Sequence, residues 1–146
     1  SFPHIGPGQK FGFFTADVAS QLARIETRVV SPVLKVGNLD AIRDYTDVRD
    51  VVRAYALLLE CGVRGEVYNV SSSRGQVVRE ILNTLVKLSG VTVRVKRDPE
   101  KMRPSEIPVL IGDNTKLRRA TDWSPEISLG DSLNDILAWW REKEKS

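Results

Sequence analysis

Short extended runs alternate with longer amphipathic helical patterns along this chain, and that alternation limits it to a sheet with helices packed against it. Phe14, Val18, Leu22 and Ile25 recur on one helical face, with Thr15 and Asp17 suited to a first turn. Val33-Leu34-Lys35-Val36 reads as a short strand closed by Gly37-Asn38. A polar stretch from Leu39 to Tyr45 leads to a second helix. Thr46 or Asp47 caps it, and its expected apolar face is Val48, Val51, Val52, Tyr55 and Leu59. Gly62 and Gly65 bracket its end. Glu66 to Val70 alternates like a strand, and Ser71-Ser72-Ser73 with Gly75 makes a turn. A third helix carries Val78, Ile81, Leu82, Leu85 and Leu88 and stops at Gly90.

Val91 to Val95 alternates as a third strand, followed by an irregular loop from Asp98 to Pro108. A short helix is expected over Asn114–Ala120. A last one runs from about Leu129 to Arg141, with Leu129, Leu133, Ile136, Leu137 and Trp140 inward. Ser128 and Asp131 form its capping-box-like start. Of Trp139 and Trp140, one ring should be core and the other surface. The pattern predicts one α/β domain over residues 1–146, with a small sheet that completes itself against another unit.

Bulk properties exclude several classes. At 146 residues and 41% hydrophobic content the chain can bury a core, and its 28% charged residues are ordinary for a soluble protein. A net charge of +3, spread among acidic residues, gives no nucleic-acid footprint. Cys61 is the only cysteine, so no intrachain disulfide and no cysteine zinc cluster can form. No apolar run reaches the roughly 20 residues that span a bilayer, and no signal peptide is recognisable. A cytoplasmic protein is the default expectation.

Two arginines stand out. Arg43-Asp44 precedes a helix start, and Arg103-Pro104-Ser105-Glu106 sits in the irregular loop. A guanidinium can grip phosphate through paired charge-assisted bonds, and Pro104 restricts Arg103 to an extended shape. The bland alternative is two surface ion pairs, with Asp44 and Glu106. His4, beside Gly6-Pro7-Gly8, can be an acid, a base or a cofactor contact, or simply solvated. It has no nearby carboxylate partners for a metal. The serine run 71–73 can cradle an anion through its backbone N–H groups, or be a plain polar turn. No glycine-rich pyrophosphate turn is present. Nor is any Tyr-x-x-x-Lys pair: Tyr45, Tyr55 and Tyr68 are followed four residues on by Arg49, Leu59 and Ser72.

Six segments in this order carry a resemblance: Phe2 to Gln9, Val36-Gly37-Asn38-Leu39, Arg43 to Asp50, Tyr68-Asn69-Val70, Arg103 to Asp113, and Asp122-Trp123-Ser124-Pro125. Together they resemble the C-terminal part of the extended short-chain dehydrogenase/reductases that act on nucleotide sugars, most closely the GDP-sugar branch. The resemblance covers essentially the whole chain. It implies a Rossmann-type α/β protein of which this is the substrate-binding portion, with a small mixed sheet and flanking helices. The N-terminal dinucleotide-binding half would lie outside these residues.

It further implies that Arg43 and Arg103 bind a GDP diphosphate, that Glu106 helps hold the guanosine end, and that His4 lies against the nicotinamide half of an NADP cofactor held mainly by the other half. The implied partners are a GDP-sugar, that missing half and, in the full enzyme, further copies of itself. No catalytic residue and no metal ligand is expected in this chain, which should be inactive alone. Asp17, where dehydratases of this branch carry a lysine, and Thr46-Asp47, where they tend to have Gly-His, favour a reductase over a dehydratase. A non-catalytic sugar-nucleotide binding module is the alternative of another class. Pro3 stands where the family has an asparagine that contacts substrate.

Overall fold

A computed structural model describes residues 1–102 and 107–145. The order is β1 (His4–Ile5), α1 (Phe14–Glu26), β2 (Val33–Val36), β3 (Ile42–Asp44), β4 (Thr46–Asp47), α2 (Val48–Cys61), β5 (Gly75–Val77), α3 (Val78–Ser89), β6 (Arg94–Arg97), a 3-10 turn (Pro99–Lys101), β7 (Val109–Leu110), α4 (Thr115–Thr121) and α5 (Leu129–Lys143). The strands form three small sheets. β1 pairs with β4 and β2 with β6, both parallel, while β3 lies between antiparallel β5 and parallel β7. This is the small mixed α/β arrangement expected.

Helices α1, α3 and α5 pack together over β2. Leu22, Leu34, Leu82, Leu85, Leu133 and Leu137 fill that core. A second cluster joins α2 to α4 through Val51, Ala54, Val70, Leu117 and Trp123. α3 stops at Gly90, which adopts φ +70°, a left-handed cap that L side chains rarely take. At the start of α5, Ser128 Oγ accepts from the Asp131 N–H at 3.1 Å and donates to its carboxylate at 2.6 Å. Trp139 and Trp140 meet edge to face with centroids 4.9 Å apart. Both rings are half-buried rather than divided between core and surface.

Four expectations need correction. The stretch 39–45 contains β3, the middle strand of the three-stranded sheet. Glu66–Val70 forms no strand: Phe2 donates its N–H to Val70 C=O at 2.9 Å, but no ladder follows. Its alternation reflects burial of Tyr68 and Val70 against the second core, with Val67 exposed. The third strand pairs over 94–97 rather than 91–95, because Val91 and Val93 are drawn onto the main core before pairing begins. On α2 the buried face is Asp50, Val51 and Ala54, while Val52, Tyr55 and Leu59 are 60%, 47% and 90% exposed. The helix is rotated by the bonds that Asp50 makes.

Asp44 ends β3 fully buried. Oδ1 accepts from Ser72 N–H at 2.9 Å and Ser72 Oγ at 2.5 Å, and Oδ2 from Ser73 N–H at 2.9 Å and Gly112 N–H at 3.1 Å. Removing the carboxylate strands several buried donors. Asp44→Ala is therefore expected to cost about 3 kcal/mol or more in urea unfolding. Asp44→Asn, which keeps one acceptor oxygen, should cost less. Losses below about 0.5 kcal/mol for both would contradict this role.

Candidate functional site

The segment from Ile42 to Asp47 joins two sheets. Its first half is β3, and its second half, β4, carries β1 beside it with His4 opposite Thr46. Arg43 and His4 are thus brought onto one continuous piece of structure. Arg43 sits mid-sheet, opposite Gln76 on β5 and Leu110 on β7. Its guanidinium Nη1 donates to Ile42 C=O at 2.8 Å and Pro108 C=O at 3.4 Å. The guanidinium is thereby held against the chain that follows Glu106. Arg103 and Glu106 themselves lie outside the described residues. Both flanks of that segment are anchored. Ile42 N–H donates to Pro108 C=O at 2.8 Å, and on the other side Lys101 N–H donates to Asp98 C=O at 3.0 Å.

His4 is exposed, and its Nδ1 lies 3.3 Å from Phe2 C=O. A carbonyl can only accept, so Nδ1 donates, and in the neutral ring Nε2 is left as an acceptor. The following loop is tied down by Gln9, whose amide nitrogen donates to His4 C=O at 2.9 Å and whose amide oxygen accepts from Thr15 Oγ at 3.1 Å.

The serine turn is an anion cradle already filled. The N–H groups of Ser72 and Ser73, candidates for an external anion, go to the Asp44 carboxylate. Asp44 consequently serves the loop.

Two further aspartates were visible in the sequence only as a helix start. Asp47 caps α2: Oδ1 accepts from Arg49 N–H at 2.9 Å and Arg49 Nε at 2.8 Å, and Oδ2 from Arg49 Nη2 at 2.8 Å and Ser132 Oγ at 2.6 Å. Arg49 also reaches Asp135 at 2.9 Å, which closes α5 onto α2. Asp50 accepts from the N–H groups of Glu126 and Ile127 at 3.0 and 2.9 Å, while Arg53 bonds its other oxygen at 2.8 Å. Trp123 Nε1 donates to Asp50 C=O at 3.0 Å. Sequence reasoning also missed Lys101, whose ammonium pairs with Asp17 on α1. No local signal marks a pair 84 residues apart. An open depression of about 450 Å³ between Tyr68 and α4 contains none of the expected site residues. Its Lys116 is engaged by Glu66 at 2.5 Å and Val67 C=O at 2.8 Å.

The fold is a small mixed α/β unit with helices packed against short sheets. The chain matches the family model described as GDP-mannose 4,6 dehydratase over residues 1–136, and it belongs to that family. It is 40% identical over 142 residues to a GDP-6-deoxy-D-mannose reductase of Pseudomonas aeruginosa, covering 97% of this chain and 47% of that protein. The solved structure of RMD from Pseudomonas aeruginosa complexed with NADPH superposes with a TM-score of 0.91 at 40% identity, covering 97% of this chain and 46% of that one. A UDP-glucose 4-epimerase from Thermotoga maritima, solved with UDP-glucose, gives a TM-score of 0.84 at 27% identity, covering 98% of this chain and 45% of that one. The chain spans about half the length of the curated relatives it matches. Among the described residues, no helix is long and apolar enough to cross a membrane.

Asp47 supplies a pH prediction. Burial alone would raise its pKa, but the hydrogen bonds from Arg49 and Ser132 outweigh burial and hold the carboxyl below its usual value of 3.8. A carboxylate with a depressed folded pKa stabilises fully above its unfolded value and loses that contribution as pH falls through the folded one. Asp47→Asn is expected to lower stability at pH 7 and to flatten the acid limb below about pH 4. Unfolding curves at pH 7 and pH 3 would measure both. An unchanged difference between the two pH values would contradict the assignment.

Proposed function

We propose that this chain is the nucleotide-sugar binding portion of an NADP-dependent reductase acting on GDP-4-keto-6-deoxy-D-mannose. The observation that carries the reading is the 40% identity to a GDP-6-deoxy-D-mannose reductase along 97% of this chain, against 25% to a GDP-mannose 4,6-dehydratase of Vibrio cholerae along 99%. Asp17, where the resemblance implies that dehydratases carry a lysine, agrees with it. The dehydratase is the second reading, favoured by the family model that covers residues 1–136.

In this reading Arg43, braced by Ile42 and Pro108, and Arg103 hold the diphosphate, and Glu106 holds the guanosine end. His4 would lie against the cofactor, near its nicotinamide half. Bound NADPH supplies hydride to the C4 ketone. The residues of this chain bind and orient the sugar nucleotide for that transfer.

The glycine-rich turn and the Tyr-x-x-x-Lys pair belong to a dinucleotide-binding half beyond these 146 residues. Two features support that partner. Val52, Tyr55 and Leu59 present an uncovered apolar face on α2, and β1 and β4 form a parallel pair of only two residues each. Residues 1–146 act as one unit in this arrangement, and the whole enzyme works in the cytoplasm as a homo-oligomer. A reading frame upstream that encodes both motifs separates the enzyme from a stand-alone binding module.

In the complete enzyme, Arg43→Ala and Arg103→Ala are each expected to weaken GDP-sugar binding by about 2–4 kcal/mol, the cost of leaving a desolvated charge unpaired. Arg28→Ala, at an exposed position past α1, should leave affinity unchanged. Titration calorimetry on the three variants provides the test. Equal small losses at all three would reduce the arginines to surface ion pairs.

A further inference from the structure

The parallel pair β2–β6 has two outer edges, and the chain treats them differently. Arg94 N–H donates to Pro32 C=O at 2.9 Å and Asp98 N–H to Val36 C=O at 2.8 Å, so residues 94, 96 and 98 turn their backbone groups toward β2. The far edge of β2 is closed by Gln21 of α1, whose side chain donates to Lys35 C=O and accepts from Lys35 N–H, both at 2.9 Å. On the far edge of β6 the N–H and C=O groups of Val95 and Arg97 point outward, and no described residue bonds them. All four residues of β6 are exposed. β6 is thus an open edge strand, a template for a further strand.

The solvent face of this pair is cationic. The register sets Lys35 beside Lys96 and Val33 beside Arg94, while Leu34 and Val36 are buried on the opposite face. Lys35, Arg94 and Lys96 are exposed, and among the described residues none of the three has an ion-pair partner. Like charges set side by side on one sheet face repel. Arg97, on the other face with Val95, is already engaged by Asp40 at 3.0 Å. A second copy of β6 laid along the open edge would bring arginine and lysine against arginine and lysine, so the charge rejects self-pairing. A strand bearing carboxylates at those positions would relieve the repulsion instead.

We propose that the open edge of β6 is a docking surface for an acidic extended segment of a partner protein, which adds to the sheet as a third strand. Side chains alternate between the two faces of a strand. The segment therefore carries carboxylates two residues apart, beside Arg94 and Lys96, with an apolar residue between them to cover Val95, which is 43% exposed. The backbone of Val95 and Arg97 supplies the ladder bonds, and the cations select the sequence.

The test uses the full-length protein and a short capped peptide of alternating glutamate and valine, with affinity and backbone amide exchange as readouts. The peptide is expected to slow exchange at Val95 and Arg97 and to leave Lys35, whose N–H is already bonded by Gln21, unchanged. Arg94→Glu and Lys96→Glu, both at exposed positions, should each weaken the peptide about tenfold. N-methylation of the peptide amides that face β6 keeps the charge, removes the ladder bonds and should abolish binding. If the N-methylated peptide or a vesicle of anionic lipid binds as well as the parent peptide, the surface is a general cation patch and the proposal is overturned. If Val95 and Arg97 are already protected in the free full-length protein, the edge is covered by the rest of the molecule, and the proposal is overturned as well.

Discussion

Three buried carboxylates spaced three residues apart, Asp44, Asp47 and Asp50, hold this structure together. They leave one short segment in different directions. Asp44 gathers the serine turn and Gly112, Asp47 takes Arg49 and Ser132 of α5, and Asp50 takes the backbone before α5. Each charge is buried only because backbone N–H groups or a guanidinium meet it. The main core could pack α1, α3 and α5 without these carboxylates. It could not, by hydrophobic burial alone, place the loops at 71–73, 112–114 and 122–127, since an apolar contact has no preferred direction.

The candidate site depends on that arrangement. Arg43 precedes Asp44 by one residue, so the bonds that seat Asp44 also seat the backbone that carries Arg43. β7 then brings the chain after Glu106 alongside, and Lys101, two residues before Arg103, pairs with Asp17 on α1. Lys101 and Gly112, on either side of the stretch that carries Arg103, are bonded to different buried aspartates on different elements. Directional electrostatics at the rim of a small sheet thus does what a larger sheet would do by length.

Much of this was legible in the sequence where periodicity and caps agree. α1, α3 and α5 have clean apolar faces, β2 alternates within its bounds, and Gly90 and Ser128 mark real ends. Elsewhere tertiary bonding overrode local pattern. β3 reads Ile-Arg-Asp and β5 reads Gly-Gln-Val, too short and polar to declare themselves, and they are strands because they pair with each other. The α2 face differs from expectation because buried Asp50 shares the inward side with Val51 and Ala54. At the site, Arg43 and His4 could be singled out by residue type and neighbours, although only the family resemblance gave them partners. The serine turn looked open to an anion because nothing local shows that Asp44, 28 residues away, fills it.

The central proposal is that this chain binds the nucleoside-diphosphate end of a sugar nucleotide in preference to the nicotinamide cofactor, which His4 only flanks. Ligand-observed NMR on the 146-residue chain, comparing GDP, GMP and NADPH at low and high salt, tests it most directly. The account predicts weak GDP binding, about 0.1–1 mM, because the 146-residue chain binds without the proposed dinucleotide-binding half. GMP should bind less well, NADPH least, and the GDP signal should fade as salt rises. Preference for NADPH over GDP would contradict the account and remove Arg43, Arg103 and Glu106 from the site.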